Sequence, residues 1–261
     1  MPPDRIADDE PLNPHAKSPQ AIKDEYKRHQ KGGEHVGPQM ISTDQQQQSD
    51  PGLHYEVKDI PGLVVYTSFL SSQSQLFLLD KLFHRDLLNP EHKTNVHMHY
   101  HIPNPPQGQS FFTHNDVFTP IDPSCHKPLT ARQFLDKKLR WMTLGGQYDW
   151  TNKVYPSETP PPFPGDIKQI IETAFPMKAE AAIVNLYSPG DTLSLHRDVS
   201  EDCNQPLVSL SIGCECIFIV GLEDEKGGSK TATLRLKSGD AVLMSGESRD
   251  NVTTTRLQRR R

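Results

Sequence analysis

Cysteine is scarce in this sequence: four in 261 residues, at 125, 203, 214 and 216. None forms a C-x-x-C pair or sits at zinc spacing from a histidine, which excludes a zinc-finger framework. Reduced thiols in an intracellular protein are expected, with Cys214 and Cys216 as small side chains alternating along a strand. A basic excess is also missing. Lys plus Arg number 28 against 33 Asp plus Glu, a net charge of −5. That excludes a protein coating nucleic acid by bulk electrostatics but permits a local basic groove. No apolar run reaches the roughly 18 residues of a membrane-spanning helix. The first ten residues are too acidic and proline-broken for a signal or transit peptide, so the cytoplasm, the nucleus or both is the expected location. Apolar residues make up only 34% and prolines number 23, so part of the chain is expected to stay outside any packed core.

What is present has an order. Residues 1–50 are polar, with Gln45–Gln48 and scattered Pro and Gly. They read as a disordered extension or a surface helix within Ala16–Lys31, whose apolar face is only Ala21, Ile22 and Tyr26. Residues 51–130 read as helices and loops supporting a domain. Tyr55–Tyr66 is expected to be a strand entering it. Ser71–Phe83 is expected to be a helix capped by Ser72 or Ser74, with Leu76, Leu79, Leu82 and Phe83 on one face. Residues 131–261 read as the core. Short β-branched runs at 180–187, 206–213, 216–221, 231–236 and 241–244 are separated by turn residues, as in a sandwich or jelly roll. The fold class expected is mainly β with flanking helices (α+β). Gly165–Phe175 reads as an amphipathic helix through Ile167, Ile170, Ile171 and Ala174.

Chemistry concentrates after the first of those runs. His196 and Asp198 are two apart, so on a strand they share a face and aim at one point. A neutral imidazole and a hard carboxylate are two thirds of the 2-His-1-carboxylate triad of Fe(II) oxygenases. Alone, H-x-D is common by chance. A second cluster, His97-x-His99-x-His101, reads either as a metal-binding strand face or as a polar loop strand. Three prolines follow within five residues and no Cys or carboxylate stands at fitting distance, which favours the loop.

The blocks around His196 carry more. Asn185-x-Tyr187, Pro189-Gly190, Leu193-Ser-Leu-His196-x-Asp198, Ser209-Leu-Ser-Ile-Gly213, Ser238-Gly239-Asp240 and Gly246-Glu-Ser-Arg249 resemble the core of the AlkB family. The likeness extends upstream through Leu139–Gly145, Tyr148–Thr151 and Pro162–Pro164, so it covers roughly residues 130–249. Ser200-Glu201 resembles the branch of the first mammalian AlkB homologue. The resemblance implies an Fe(II)/2-oxoglutarate dioxygenase with a double-stranded β-helix (jelly-roll) fold. Such an enzyme demethylates N-methylated bases in nucleic acid, and the branch favours RNA such as tRNA or mRNA over DNA. It implies His196 and Asp198 as iron ligands and Asn185, Tyr187, Arg249 and Arg256 around 2-oxoglutarate. Tyr148, Trp150, Ser200 and Glu201 are candidate substrate contacts, and Trp141 reads as structural. A methylated RNA or DNA partner and a monomer are expected.

One departure stands out. The family places its second iron histidine four residues after the arginine matched by Arg249, where this chain has Thr253. No histidine follows His196. The tail Arg249–Arg256 also reads as the family's R-x-N-x-T-x-R strand with one residue inserted, the histidine-bearing strand being deleted and its flanks joined. Either way a ligand is missing. The alternative function is therefore a catalytically impaired AlkB-like protein, a truncated or spliced form that keeps the fold and binds nucleic acid. The last dozen residues are expected to be poorly ordered or to form a makeshift strand, leaving a neighbouring edge unpaired.

Overall fold

A computed structural model describes residues 18–30, 40–41, 53–113, 115–149, 159–198, 205–223, 229–250 and 252–258. In chain order the elements begin with α1 (Gln20–Gln30), β1 (Met40–Ile41), β2 (His54–Glu56), β3 (Leu63–Tyr66) and α2 (Ser72–Lys81). Then follow β4 (Tyr100–His101), β5 (Val117–Pro120), β6 (Leu129–Thr130), β7 (Trp141–Gly145), α3 (Gly165–Ala174) and β8 (Ala181–Asn185). The last are β9 (Thr192–His196), β10 (Leu207–Leu210), β11 (Cys216–Glu223), β12 (Ser229–Leu236), β13 (Ala241–Met244), α4 (Glu247–Asp250) and β14 (Val252–Gln258). The architecture is mainly β with a few helices. The chain divides into two compact units, 1–69 with 189–261, and 70–188.

The first unit holds two sheets, ordered β1-β12-β11-β14-β9 and β10-β13-β3-β2. Alternation along β11 sends Cys216, Phe218, Val220 and Leu222 to one face, where they join Val57, Leu63, Val65, Leu234, Leu236, Val242 and Met244 in a core. The same strand's Ile217 and Ile219 face the other way and meet Ile22 and Leu257. Turns tie the two sheets at their ends. Asp240 accepts from the Ser68 and Lys237 amides (2.9 and 2.7 Å), and the Ser238 hydroxyl accepts from the Gly213 amide at 2.8 Å.

Tyr55–Tyr66 is a hairpin rather than one strand. Lys58–Gly62 turns the chain, with Gly62 at φ +81°, so β2 and β3 pair antiparallel. A side chain at Gly62 would meet the Ser245 carbonyl at 1.9 Å, so β13 can approach only a glycine there. The C-terminal residues form a strand, and it is not an edge: β14 pairs with β11 on one side and β9 on the other.

The helix α1 lies on the outer face of this unit. Eleven residues are marginal as a helix in water, so packing must hold it. Ile22 is fully buried, an effect of about 1.5–3 kcal/mol. The buried carboxylate of Glu25 accepts from the Thr233 hydroxyl (3.1 Å) and pairs with Arg28 (2.9 Å). The Tyr26 hydroxyl donates to Thr192 Oγ1 at 3.2 Å.

The second unit has two small sheets, β4-β5-β6 and β7-β8. Its core is an edge-to-face aromatic trio, Phe111, Phe118 and Phe134, with centroids 5.3–5.7 Å apart. Ser71 caps α2, its hydroxyl accepting from the Ser74 amide at 3.1 Å, one residue before the caps expected. The expected apolar face is also displaced. Leu78 is the buried residue of α2, while Leu76 is 68% exposed. After Lys81 the helix widens into a π turn over Leu82–Asp86, with the Leu87 amide on the Leu82 carbonyl, and this changes which side chains share a face. Arg85 then forks onto Asp86 and Asp166, the latter in the first turn of α3, and holds the Asp166 carboxyl below the usual carboxylate range.

Gly221 of β11 tests the α1 contact. A methyl group there would lie 1.9 Å from Ile22 Cδ1 and 2.0 Å from Cγ1. Gly221→Ala is expected to destabilise by about 1–3 kcal/mol and to speed tryptic cleavage at Lys23 and Lys27. Adding Ile22→Ala should recover part of that loss, which thermal unfolding of the double variant measures.

Candidate active site

His196 ends β9 and points to the inner face of its sheet, since its neighbour Leu195 packs against the outer Ile22–Ile219 cluster. The strand carries a bulge just before it. Thr254 stands opposite His196 and Arg256 opposite Leu193, so Ser194 and Leu195 share the single partner Thr255. Bulges re-aim side chains at sites, and here the result is specific. The His196 Nδ1–H donates to the Ser194 carbonyl at 2.8 Å. That bond fixes the tautomer and leaves the lone pair on Nε2. Nε2 lies 3.6 Å from Asp198 Oδ1, and both side chains are about one third exposed (34% and 36%). The imidazole and carboxylate therefore converge, as two residues apart on one face should.

Three further groups share this unit. Thr254 on β14 places its hydroxyl 3.4 Å from His196 Nε2. Arg256, two residues on and on the same face, donates to the hydroxyls of Ser209 and Ser211, and its guanidinium lies 5.3 Å from the Phe218 ring centre. Arg249, on α4, is 7% exposed and donates to the carbonyls of Asp198 and Gln205. Its fork is thus engaged with the main chain at Asp198 and Gln205. The Gly246–Arg249 turn is anchored by Ser248, whose amide donates to the Pro61 carbonyl and whose hydroxyl bonds the Ser245 amide and carbonyl.

Thr253 faces the other way. It pairs with Gly221, whose open side meets Ile22 of α1, and it is 1% exposed with no partner for its hydroxyl among the described residues. The expectation that position 253 takes the histidine's place on a colinear count does not hold geometrically. Period two along a strand gives that place to Thr254.

Asn185 and Tyr187 belong to the second unit. Asn185 ends β8 opposite Trp141 and is exposed; Tyr187 is half-buried with its hydroxyl inside. Trp150, Ser200 and Glu201 lie outside the described residues. Tyr148 lines an open groove of about 850 Å³ together with Trp141, Tyr100, His97, Met98 and Ile121. Trp141, read as structural from the sequence, is half-buried in that wall. His97, His99 and His101 do not gather. His97 Nδ1 accepts from the Thr94 amide at 3.0 Å in a capping box, and His99 stacks on His126 at 4.8 Å.

Among the described residues no group of three His, Cys, Asp or Glu side chains could hold a metal ion. His196 Nε2 and Asp198 Oδ1 fit two of the protein bonds of a facial triad, the imidazole in the required tautomer; the described residues supply no third.

The family model for the 2OG-Fe(II) oxygenase superfamily matches residues 62–259. The chain belongs to that superfamily, on its AlkB branch. The superfamily's cofactors are Fe(II) and 2-oxoglutarate. The chain is 46% identical over 228 residues to the N6-methyladenosine RNA demethylase ALKB1 of Pyricularia oryzae, covering 77% of this chain and 64% of that one. It is 46% identical to the N6-methyladenosine RNA demethylase ALKBH of Cryphonectria parasitica, covering 59% and 78%. The tRNA demethylase abh1 of Schizosaccharomyces pombe matches at 42%, covering 75% and 68%. The chain thus spans about two thirds of the length of the first of these relatives.

The capping role of His97 sets a pH dependence. Burial, helped by Lys93, pushes its imidazole down to about 4, so it is neutral when folded. The unfolded chain binds that proton near pH 6.5, so stability is fully present above that pH and is lost as pH falls toward 4. Unfolding free energy should drop between pH 7 and 5, and His97→Gln should remove roughly 1 kcal/mol of that drop once solvent screening is allowed for. Chemical denaturation at the two pH values checks it.

Proposed function

We propose that this chain is an AlkB-type nucleic-acid dioxygenase that demethylates N-methylated bases, with RNA such as tRNA or mRNA favoured over DNA. The observation that carries the reading is the His196–Asp198 pair, with Nε2 turned to the carboxylate by the Ser194 carbonyl. The RNA preference rests on the relatives named as RNA demethylases. The two sheets of the first unit are taken as walls of a double-stranded β-helix, the core lying in 131–261 with 51–130 supporting it. The working form is a monomer in cytoplasm or nucleus.

His196 and Asp198 would hold the ferrous ion. When bound, Fe(II) and 2-oxoglutarate would supply, with dioxygen as the oxidant, the hydroxylation of an N-methyl group, which would then leave as formaldehyde while 2-oxoglutarate becomes succinate and carbon dioxide. The Arg256 fork, steadied on Ser209 and Ser211, takes the far carboxylate of 2-oxoglutarate, because a planar guanidinium matches a carboxylate in two bonds. Asn185 and Tyr187 hydrogen-bond the co-substrate, by their place in the AlkB pattern. Arg249, which bonds the Asp198 carbonyl, joins the 2-oxoglutarate contacts by its place in the AlkB pattern. Tyr148 and Trp141 offer aromatic faces on which a base or its neighbours stack. Trp150, Ser200 and Glu201 complete the substrate contacts.

A second reading, a nucleic-acid-binding protein without turnover, is favoured by Thr254, a hydroxyl where a third ligand belongs. The test is incubation with Fe(II), 2-oxoglutarate and an N-methylated RNA oligonucleotide. Equal release of formaldehyde and succinate is expected, abolished in His196→Ala and Asp198→Ala. Arg256→Ala should raise the KM for 2-oxoglutarate about tenfold or more, the scale of one lost charge-assisted pair. RNA binding with no succinate would establish the second reading and overturn the first.

A further inference from the structure

We infer that the vacant third ligand position of this site is residue 254, not residue 253, so that one substitution completes a three-residue metal centre in this chain. The inference rests on reading His196 and Asp198 as metal ligands. Three observations carry it. First, β14 is the interior neighbour of β9, and its direct partner for His196 is Thr254. A side chain directly opposite on an antiparallel pair begins about 4.5–5.5 Å away, close enough for both to reach one ion. Second, the Thr254 hydroxyl already lies 3.4 Å from Nε2, the atom that carries the lone pair. Asp198 Oδ1 lies 3.6 Å from the same Nε2. Third, the adjacent Thr253 and Thr255 are committed to the outer face. Thr253 lies opposite Gly221 beneath Ile22, and Thr255 is opposite Ile219 and donates to the Leu193 carbonyl.

A neutral hydroxyl binds a divalent cation weakly, whereas imidazole and carboxylate are its usual ligands. The native chain therefore holds a cation through two protein groups, and Thr254 is the position that limits its affinity. Thr254 is 4% exposed and faces Val220 across β11. Aspartate is close to threonine in volume and serves as the conservative ligand there. Histidine is larger and is the donor the family uses.

Co(II) is the probe, read by equilibrium dialysis and by its visible ligand-field absorption, with no substrate present. Thr254→His and Thr254→Asp are each expected to raise Co(II) affinity at least tenfold and to intensify and shift the absorption. Adding His196→Ala to either should remove the gain. Thr253→His is expected to gain no affinity and to lower Tm, since it forces an imidazole beneath α1. Circular dichroism reports folding, and Thr254→Asp decides the matter if Thr254→His does not fold. Folded Thr254 variants that bind Co(II) no tighter than the native chain would overturn the inference, as would a gain confined to Thr253→His. If His196→Ala alone leaves Co(II) binding unchanged in the native chain, the ligand reading beneath it fails and takes the inference with it.

Discussion

The pairing of β9 with β14 is the constraint on which this site depends. It decides what stands against His196, and the bulge in β9 lets the Ser194 carbonyl take the Nδ1 proton. Without that bond the imidazole could turn or carry its proton on Nε2, and a carboxylate two residues on would meet a donor, not a lone pair. Each other feature of the first unit acts on this pair of strands. Arg256 leaves β14 from the inner face toward the serines of β10, and Arg249 clasps the chain just past His196. Buried α1 covers the outer face, so the inner face alone is open to chemistry.

The motif residues shared with AlkB proteins divide into two kinds on this view. Ser238, Asp240 and Ser248 touch no reacting group; they satisfy turn amides, which sets the sheets in register. His196, Asp198 and Arg256 stand on the surface those turns create. The first kind makes the family recognisable over much of the chain, and the second gives it a function. This chain keeps the first kind nearly whole and lacks one member of the second. Recognising the family and reading its activity are therefore separate inferences here.

Much of this was legible in the sequence. Turn residues between β-branched runs gave the strands β8 and β10 to β13 closely, because alternation and Gly/Pro punctuation are local properties. Period two put His196 and Asp198 on one face, and the AlkB-like blocks around them singled the pair out. The failures were non-local or local breaks in regularity. Tyr55–Tyr66 looks like one strand because its turn contains only one glycine and one proline. The face of α2 was misassigned within its regular turns, where Leu78 is buried and Leu76 exposed, and the π turn after Lys81 adds a change of angular step that composition does not announce. Trp141 reads as structural, and nothing local to it in the sequence marks a place on a groove wall. The replacement at the third ligand position was misplaced by one residue. A colinear count ends on Thr253, while the strand that forms presents Thr254, and only pairing with β9 distinguishes the two faces of a Thr-Thr-Thr run.

The most direct test of the account is anomalous diffraction from crystals of the native chain soaked in Co(II). A peak within about 2.0–2.3 Å of both His196 Nε2 and an Asp198 carboxylate oxygen is predicted, with solvent filling the side next to Thr254. A Co(II) peak at His97, His99 or His101 with none at His196 would contradict it, as would density showing the His196 and Asp198 side chains directed to opposite faces.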